Sequence, residues 1–272
     1  MKKIFLILLL PIVILGGQLL YLYKHKEFKP DEFSSHLVLE NHVFVPLLSA
    51  EEKKEIQHIL SQPFTHLGLG KQMTAYESED KQYVLKLFNP RARLKDKSFQ
   101  DIKHMKSLCT MKWFSSAYFK RKERLLKIFN RHAIAFSKMK EEAGLLYVHL
   151  NPFTALDQTA HIIDKDGTQF DVHLKNVPFV LQRKVELAGA RLAREQNPEA
   201  CYAQLRELFT IRAKLGFTDR IQTLHNNYGF YGDKAIQIDV GRINFSQDVL
   251  NNPELEVDRI MTSINRQLSS RR

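Results

Sequence analysis

After Lys2 and Lys3 the chain runs IFLILLLPIVILGGQLLYLY, residues 4–23, about twenty positions without a charge. No other stretch limits the molecule as strongly, because a continuous apolar run has to be taken out of water. As a helix it spans the roughly 30 Å of a bilayer's hydrocarbon core. Tyr21 and Tyr23 at its end suit the interfacial belt in which aromatic rings settle. The run therefore predicts an uncleaved anchor that contacts the lipid bilayer through residues 4–23. A cleaved export signal is the alternative, since basic residues lead and Leu15-Gly16-Gly17 offers small side chains. The anchor is preferred because the apolar run continues past the glycines. Lys2 and Lys3 are matched by Lys24, Lys26 and Lys29, so charge does not fix the orientation.

The chain beyond this run is long enough to bury a proper core. A composition of 44% hydrophobic and 26% charged residues is that of a folded chain rather than a disordered one. Lys and Arg outnumber Asp and Glu by 41 to 30, giving a formal charge of +11 that suits an anionic partner. Cys109 and Cys201 stand far apart, and no Cys/His spacing has the form of a zinc site.

Residues 27–50 read as a linker and short docking segment, with Ser49 as N-cap of a helix whose first turn carries Glu51 and Glu52. FTHLGLGKQMTAYESEDKQYVLKLF then predicts three strands joined by a Gly-containing turn and a polar turn. From about 92 to 143 the chain reads as helical and very basic, with Leu125, Phe129 and Phe136 on one stripe. Strands come next at LLYVHL and FVLQRKVEL, and between them TAHIIDKDGTQFDVHL predicts a hairpin turning at Asp166-Gly167. NPEACYAQLRELFTIRAKLG predicts a helix stopped by Gly216. An Asn segment, a strand ending Asp239-Val240-Gly241, and an amphipathic helix complete the chain.

This order of Gly-containing hairpin, Lys-bearing strand, helix, strands, helix, Asn segment and Asp-x-Gly resembles the protein-kinase-like superfamily, over roughly residues 60–245. The resemblance implies an α+β, two-lobed fold: an N-lobe at 51–188 with a helical insertion, and a reduced helical C-lobe at 189–272, behind an anchor at 1–26. It implies ATP and Mg²⁺ as cofactors. Phosphoryl transfer needs charge neutralisation around the phosphates more than covalent help. Gly68 and Gly70 would then let backbone N–H groups approach the phosphates. Lys86 would hold them and pair with a helical glutamate, chosen as Glu142 over Glu141 and Glu123. Asn227 and Asp239, a dozen residues apart, would supply amide and carboxylate oxygens to the metal.

The departures are equally informative. The residue five before Asn227, where a catalytic-loop acid belongs, is Gln222, leaving Asp219 as the candidate base. Val240 replaces the aromatic of the metal motif, the third loop glycine is missing, and about thirty residues come after Gly241. Two readings stay open on these residues: an active phosphotransferase with a protein or small-molecule acceptor, and a pseudokinase that senses nucleotide or binds a protein. A third class is a non-catalytic membrane-surface protein using the basic segment around Lys120–Arg131. No nucleic-acid module is recognisable. ATP use places the folded domain in the cytosol; an exported domain would argue against it.

Overall fold

The computed structural model describes residues 45–70, 72–89, 112–150, 156–219 and 223–269. The expected anchor, most of the linker, and the basic stretch 90–111 lie outside the described residues. Among the described residues no helix is long and apolar enough to cross a membrane.

Helix α1 (Ala50–Leu60) starts where the sequence predicts, and for the reason it predicts. Ser49 Oγ accepts the Glu52 N–H at 3.1 Å while the Glu52 carboxylate accepts the Ser49 N–H at 2.9 Å. The helix then lies across a seven-stranded sheet ordered β4-β7-β3-β2-β1-β5-β6. Its strands are β1 (Pro63–Leu69), β2 (Met73–Ser78), β3 (Tyr83–Phe88), β4 (Leu145–His149), β5 (Thr159–Ile163), β6 (Gln169–His173) and β7 (Phe179–Arg183). All neighbours are antiparallel except β1 and β5, so the sheet is mixed. The β5–β6 hairpin adds itself to the free edge of β1, which caps an otherwise open edge.

The two-residue period of the strands sorts the faces. Leu85, Leu87, Phe179 and Leu181 turn to α1 and pack with Ile56, Ile59 and Leu60. Phe88, Leu145, Val148 and Val180 turn to the opposite face, where α2 (Lys112–Lys138) lies. The apolar stripe of α2, Leu125, Ile128, Phe129 and Phe136, fills this second core. The rings of Phe129 and Phe136 are thus committed to packing. The chain leaves α2 at Lys138 and turns through Met139–Gly144, with Gly144 at φ +59°. Glu141 and Glu142 thus stand beyond the helix rather than on it.

The second body begins where FVLQRKVEL divides. A single strand is expected there, but β7 ends at Arg183 and β8 (Glu186–Leu187) joins a different sheet, order β11-β10-β8. Gly229 explains the change of partner: any Cβ there would collide with Val185 and the Glu186 carbonyl. Helices α3 (Ala188–Arg194) and α4 (Glu199–Lys214) come next, and α4 halts at Gly216, φ +77°, as the Gly-stop rule expects. Strand β9 (Phe217–Asp219), the single turn α5 (Leu224–Asn227), the hairpin β10 (Tyr228–Tyr231) and β11 (Lys234–Gln237), β12 (Ile243–Phe245), α6 (Gln247–Asn251) and α7 (Pro253–Ser269) complete it. Its core joins Leu205, Leu208 and Phe209 of α4 to Val257, Ile260 and Ile264 of α7. Val240 and Ile243 do not belong to that core: both insert into the α2 core of the first body. The loop after Asp239 is thus the apolar tie between the two bodies.

Candidate functional site

On β3 the residues facing α1 are Leu85 and Leu87, so alternation turns Val84, Lys86 and Phe88 the other way. Lys86 sits mid-strand between Ala75 of β2 and Val180 of β7, and is only partly exposed. Its Nζ donates to the carbonyl oxygen of Ile238 at 2.6 Å. Burial lowers its pKa to about 8, and the nearby negative charge of Asp239 works against that shift. Lys86 and Asp239, 153 positions apart by their numbers, are brought together across the two bodies.

The hairpin does the rest. In its register Tyr228 opposes Gln237, and the Ile238 N–H donates to the Asn227 carbonyl at 2.8 Å. Asn227, the last residue of α5, and Asp239 therefore emerge at the same end. Asp239 makes the turn that the sequence also allowed: its Oδ1 accepts the Gly241 N–H at 2.9 Å. That uses one oxygen. Among the described residues the other accepts no hydrogen bond, so the turn and a metal role are compatible. Among the described residues no group of three or more His, Cys, Asp or Glu is assembled to hold a metal. One carboxylate and one amide suit a hard cation that takes its remaining oxygens from phosphates and water.

The Gly-containing hairpin reaches this loop. Gly70 makes the turn, its N–H donating to Met73 O at 2.8 Å, and Asn89 at the end of β3 pins the tip. The Asn89 amide donates to Gly70 O at 2.7 Å and accepts from Thr74 Oγ1 at 2.6 Å. Gln72 at the tip lays its carboxamide over Gly241, in the space a side chain there would occupy. Gly68 lies at a register shift in β1, with open space where a Cβ would be.

Helix α2 meets the same loop through Arg131, whose guanidinium donates to Gly241 O at 2.9 Å and Asn244 Oδ1 at 2.5 Å. Beside it His132 is buried against Phe88 and bonded to Ile128 O through Nδ1 at 2.9 Å. Burial lowers its pKa to about 4, so it is neutral near pH 7.

Two expected placements are corrected. Glu142 does not face Lys86. Past the end of α2, its carboxylate lies 3.9 Å from Lys234 Nζ, and its carbonyl accepts the Gln237 N–H at 2.8 Å. Glu141 lines a charged cavity with Glu52, Glu55 and Lys140, and Glu123 pairs with Lys127 at 2.7 Å. Among the described residues no carboxylate lies within ion-pair distance of Lys86. Asp219, the candidate base, is fully buried at the end of β9 and receives Gln237 Nε2 at 3.4 Å, so it is not presented to an incoming hydroxyl here.

Several site residues escaped the sequence reading, although some left a signal. His132 falls on the apolar stripe of α2, seven residues after Leu125, and Arg212 falls on that of α4, seven after Leu205. A polar residue at such a position has to find buried partners. Gln237, polar within the apolar strand KAIQI, carries the same signal. Arg131, Gln72 and Asn89 carried none.

No family model and no curated protein matches the chain. Solved structures do. A crystal structure of WbdD is 16% identical with TM-score 0.38, covering 73% of this chain and 38% of that one. A co-crystal structure of WbdD with the kinase inhibitor LY294002 gives 14%, 0.37, 72% and 37%. A structure of the bifunctional kinase-methyltransferase WbdD gives 15%, 0.35, 70% and 34%. The chain thus spans little over a third of the solved chains it matches.

Proposed function

We propose that this chain is a protein-kinase-like protein that binds ATP with Mg²⁺ between its two bodies. The observation that carries the reading is the convergence of Lys86, from the middle of the sheet, on the end of the β10–β11 hairpin where Asn227 and Asp239 stand together. Partly buried, a lysine that among the described residues donates to a main-chain carbonyl alone is poised to meet an anion. In this reading protonated Lys86 holds phosphate oxygens, and the hairpin tip from Gly68 to Gly70 covers them with backbone N–H groups. Asp239 and Asn227 would hold the metal, which supplies neutralisation of charge on the β- and γ-phosphates. Arg131 keeps the Asp239 loop fixed to α2 from behind. The domain then lies on the cytosolic side, with residues 4–23 as its membrane anchor.

Transfer of the phosphoryl group to a protein or small-molecule hydroxyl completes the active reading. The second reading is nucleotide binding without transfer, favoured by the burial of Asp219 and by Gln222 standing where an acid is expected.

The test is calorimetric titration of ATP with Mg²⁺ into the full chain in detergent micelles, beside Lys86→Ala and Asp239→Ala. Binding to the wild type that disappears in both variants supports the cleft; no binding to a folded wild type ends the proposal. Release of labelled γ-phosphate, or its absence, then separates the two readings.

A further inference from the structure

Gln237, the last residue of β11, is wholly enclosed and faces two kinds of partner. Its Oε1 accepts from Arg212 Nη1 at 2.9 Å. Its Nε2 donates to the main-chain oxygen of Asp239 at 3.1 Å and reaches Asp219 Oδ2 at 3.4 Å. A guanidinium has donors only, so Arg212 decides which end of the amide faces it, and the NH₂ end is left for the acceptors.

Arg212 is itself held in place. Fully buried on the inner stripe of α4, its guanidinium lies 5.2 Å from the centre of the Phe209 ring and donates to Tyr228 Oη at 3.2 Å. A buried cation and a buried anion, Arg212 and Asp219, thus stand on either side of one amide. That arrangement is expensive to desolvate and is poor value for stability alone, because well-packed apolar residues would serve a core as well or better. Its distinct contribution is orientation: a donor aimed at the backbone carbonyl of Asp239.

We propose that Arg212 and Gln237 are positioning residues that set the Asp239 loop for a divalent cation. This rests on the nucleotide-binding reading above. The amide fixes the Asp239 carbonyl, Gly241 N–H fixes Oδ1 of the same residue, and the remaining carboxylate oxygen accepts no hydrogen bond among the described residues.

The test uses the full chain in detergent, with Mn²⁺ as the probe, monitored by the loss of its free electron-spin-resonance signal in the presence of ATP. Gln237→Glu keeps size and shape and gains an ion pair with Arg212; ionised, it turns an acceptor, in place of the donor, to the Asp239 carbonyl and to Asp219 Oδ2. It is expected to weaken Mn²⁺ binding about tenfold or more, in the range of lost supporting contacts to metal ligands, with metal-free ATP binding unchanged. Ile260→Val, in the same core but away from the amide, is expected to lower the melting temperature and leave Mn²⁺ affinity alone. A Gln237→Glu protein with native near-ultraviolet dichroism and wild-type Mn²⁺ affinity overturns the proposal by itself. A wild type that binds neither ATP nor Mn²⁺ overturns the nucleotide reading and this inference together. If Gln237→Glu does not fold, Gln237→Asn, which withdraws the same amide by one methylene, is measured to the same two outcomes.

Discussion

Gly241 and Lys86 show how single residues shape the loop after Asp239. The space beside Gly241 is filled by the carboxamide of Gln72, with Asp239 Oδ1 at 3.2 Å from where a Cβ would stand. Gly241→Ala must displace the end of a flexible side chain rather than backbone, so its cost is expected at about 1 kcal/mol or less. In a Gln72→Ala background most of that cost should go, leaving only the contact with Asp239 Oδ1, a coupling that a double-mutant cycle in urea detects. Additive costs would show that Gln72 does not rest on Gly241 in solution. For Lys86 the sign needs care. Its folded pKa is lowered from 10.5 to about 8 by burial. The unfolded chain therefore binds the proton more tightly between those pH values, and this residue's penalty to the apo fold shrinks as pH rises through the window. An anionic ligand reverses the preference. Nucleotide binding at pH 8 is expected to draw in up to about half a proton, visible as a dependence of calorimetric enthalpy on the buffer's ionisation heat. Lys86→Arg, which keeps the positive charge but does not titrate near pH 8, should bind without that dependence; a wild type without it would mean that Lys86 does not meet the phosphates. Lys86, Asn227 and Asp239 were legible because strand period and turn chemistry fix their faces. The partner assigned to Lys86 was not, since the helix ends at Lys138, before either glutamate, in a turn that closes at Gly144.

Helix α2 takes the place of that missing partner at the level of the element. It contributes no carboxylate to Lys86; it contributes Arg131, which grips Gly241 and Asn244, and His132, which fills the core behind them. His132 is held neutral, its pKa lowered from 6.5 to about 4, chiefly by burial. The unfolded chain takes up the proton first as pH falls. Stability from this residue is therefore intact above pH 6.5 and is lost between there and about 4, by up to roughly 3 kcal/mol. Urea midpoints at pH 7 and pH 4.5 should accordingly fall further in the wild type than in His132→Phe. Equal falls would assign the acid sensitivity to other groups. Periodicity predicted α2, α1, α4 and most strands, because each presents one apolar face at a regular spacing. It did not predict that β5–β6 pairs with β1, nor that β8 leaves the main sheet, since both depend on an edge or a glycine supplied by distant chain.

At the largest scale the described residues form two cores on either side of one sheet, a third among α4, α7 and the hairpin, and a short loop that ties them. Val240 and Ile243 are the apolar part of that tie. The Lys86–Ile238, Glu142–Gln237 and Arg131–Gly241 contacts are its polar part. Something bound between the bodies would join them more firmly. A ligand at about 100 times its dissociation constant adds about 2.7 kcal/mol to the state it binds. If ATP with Mg²⁺ bridges β3 and the β10–β11 hairpin, slowed amide exchange should appear in both at once, since each is held by the same ligand. Protection confined to one body would mean that nucleotide touches only one wall of the cleft. No protection in either, together with salt-sensitive capture by anionic vesicles, would instead favour a basic membrane-surface protein. The net charge of +11 alone never separated these outcomes, because anionic lipid and nucleotide phosphates attract the same lysines and arginines.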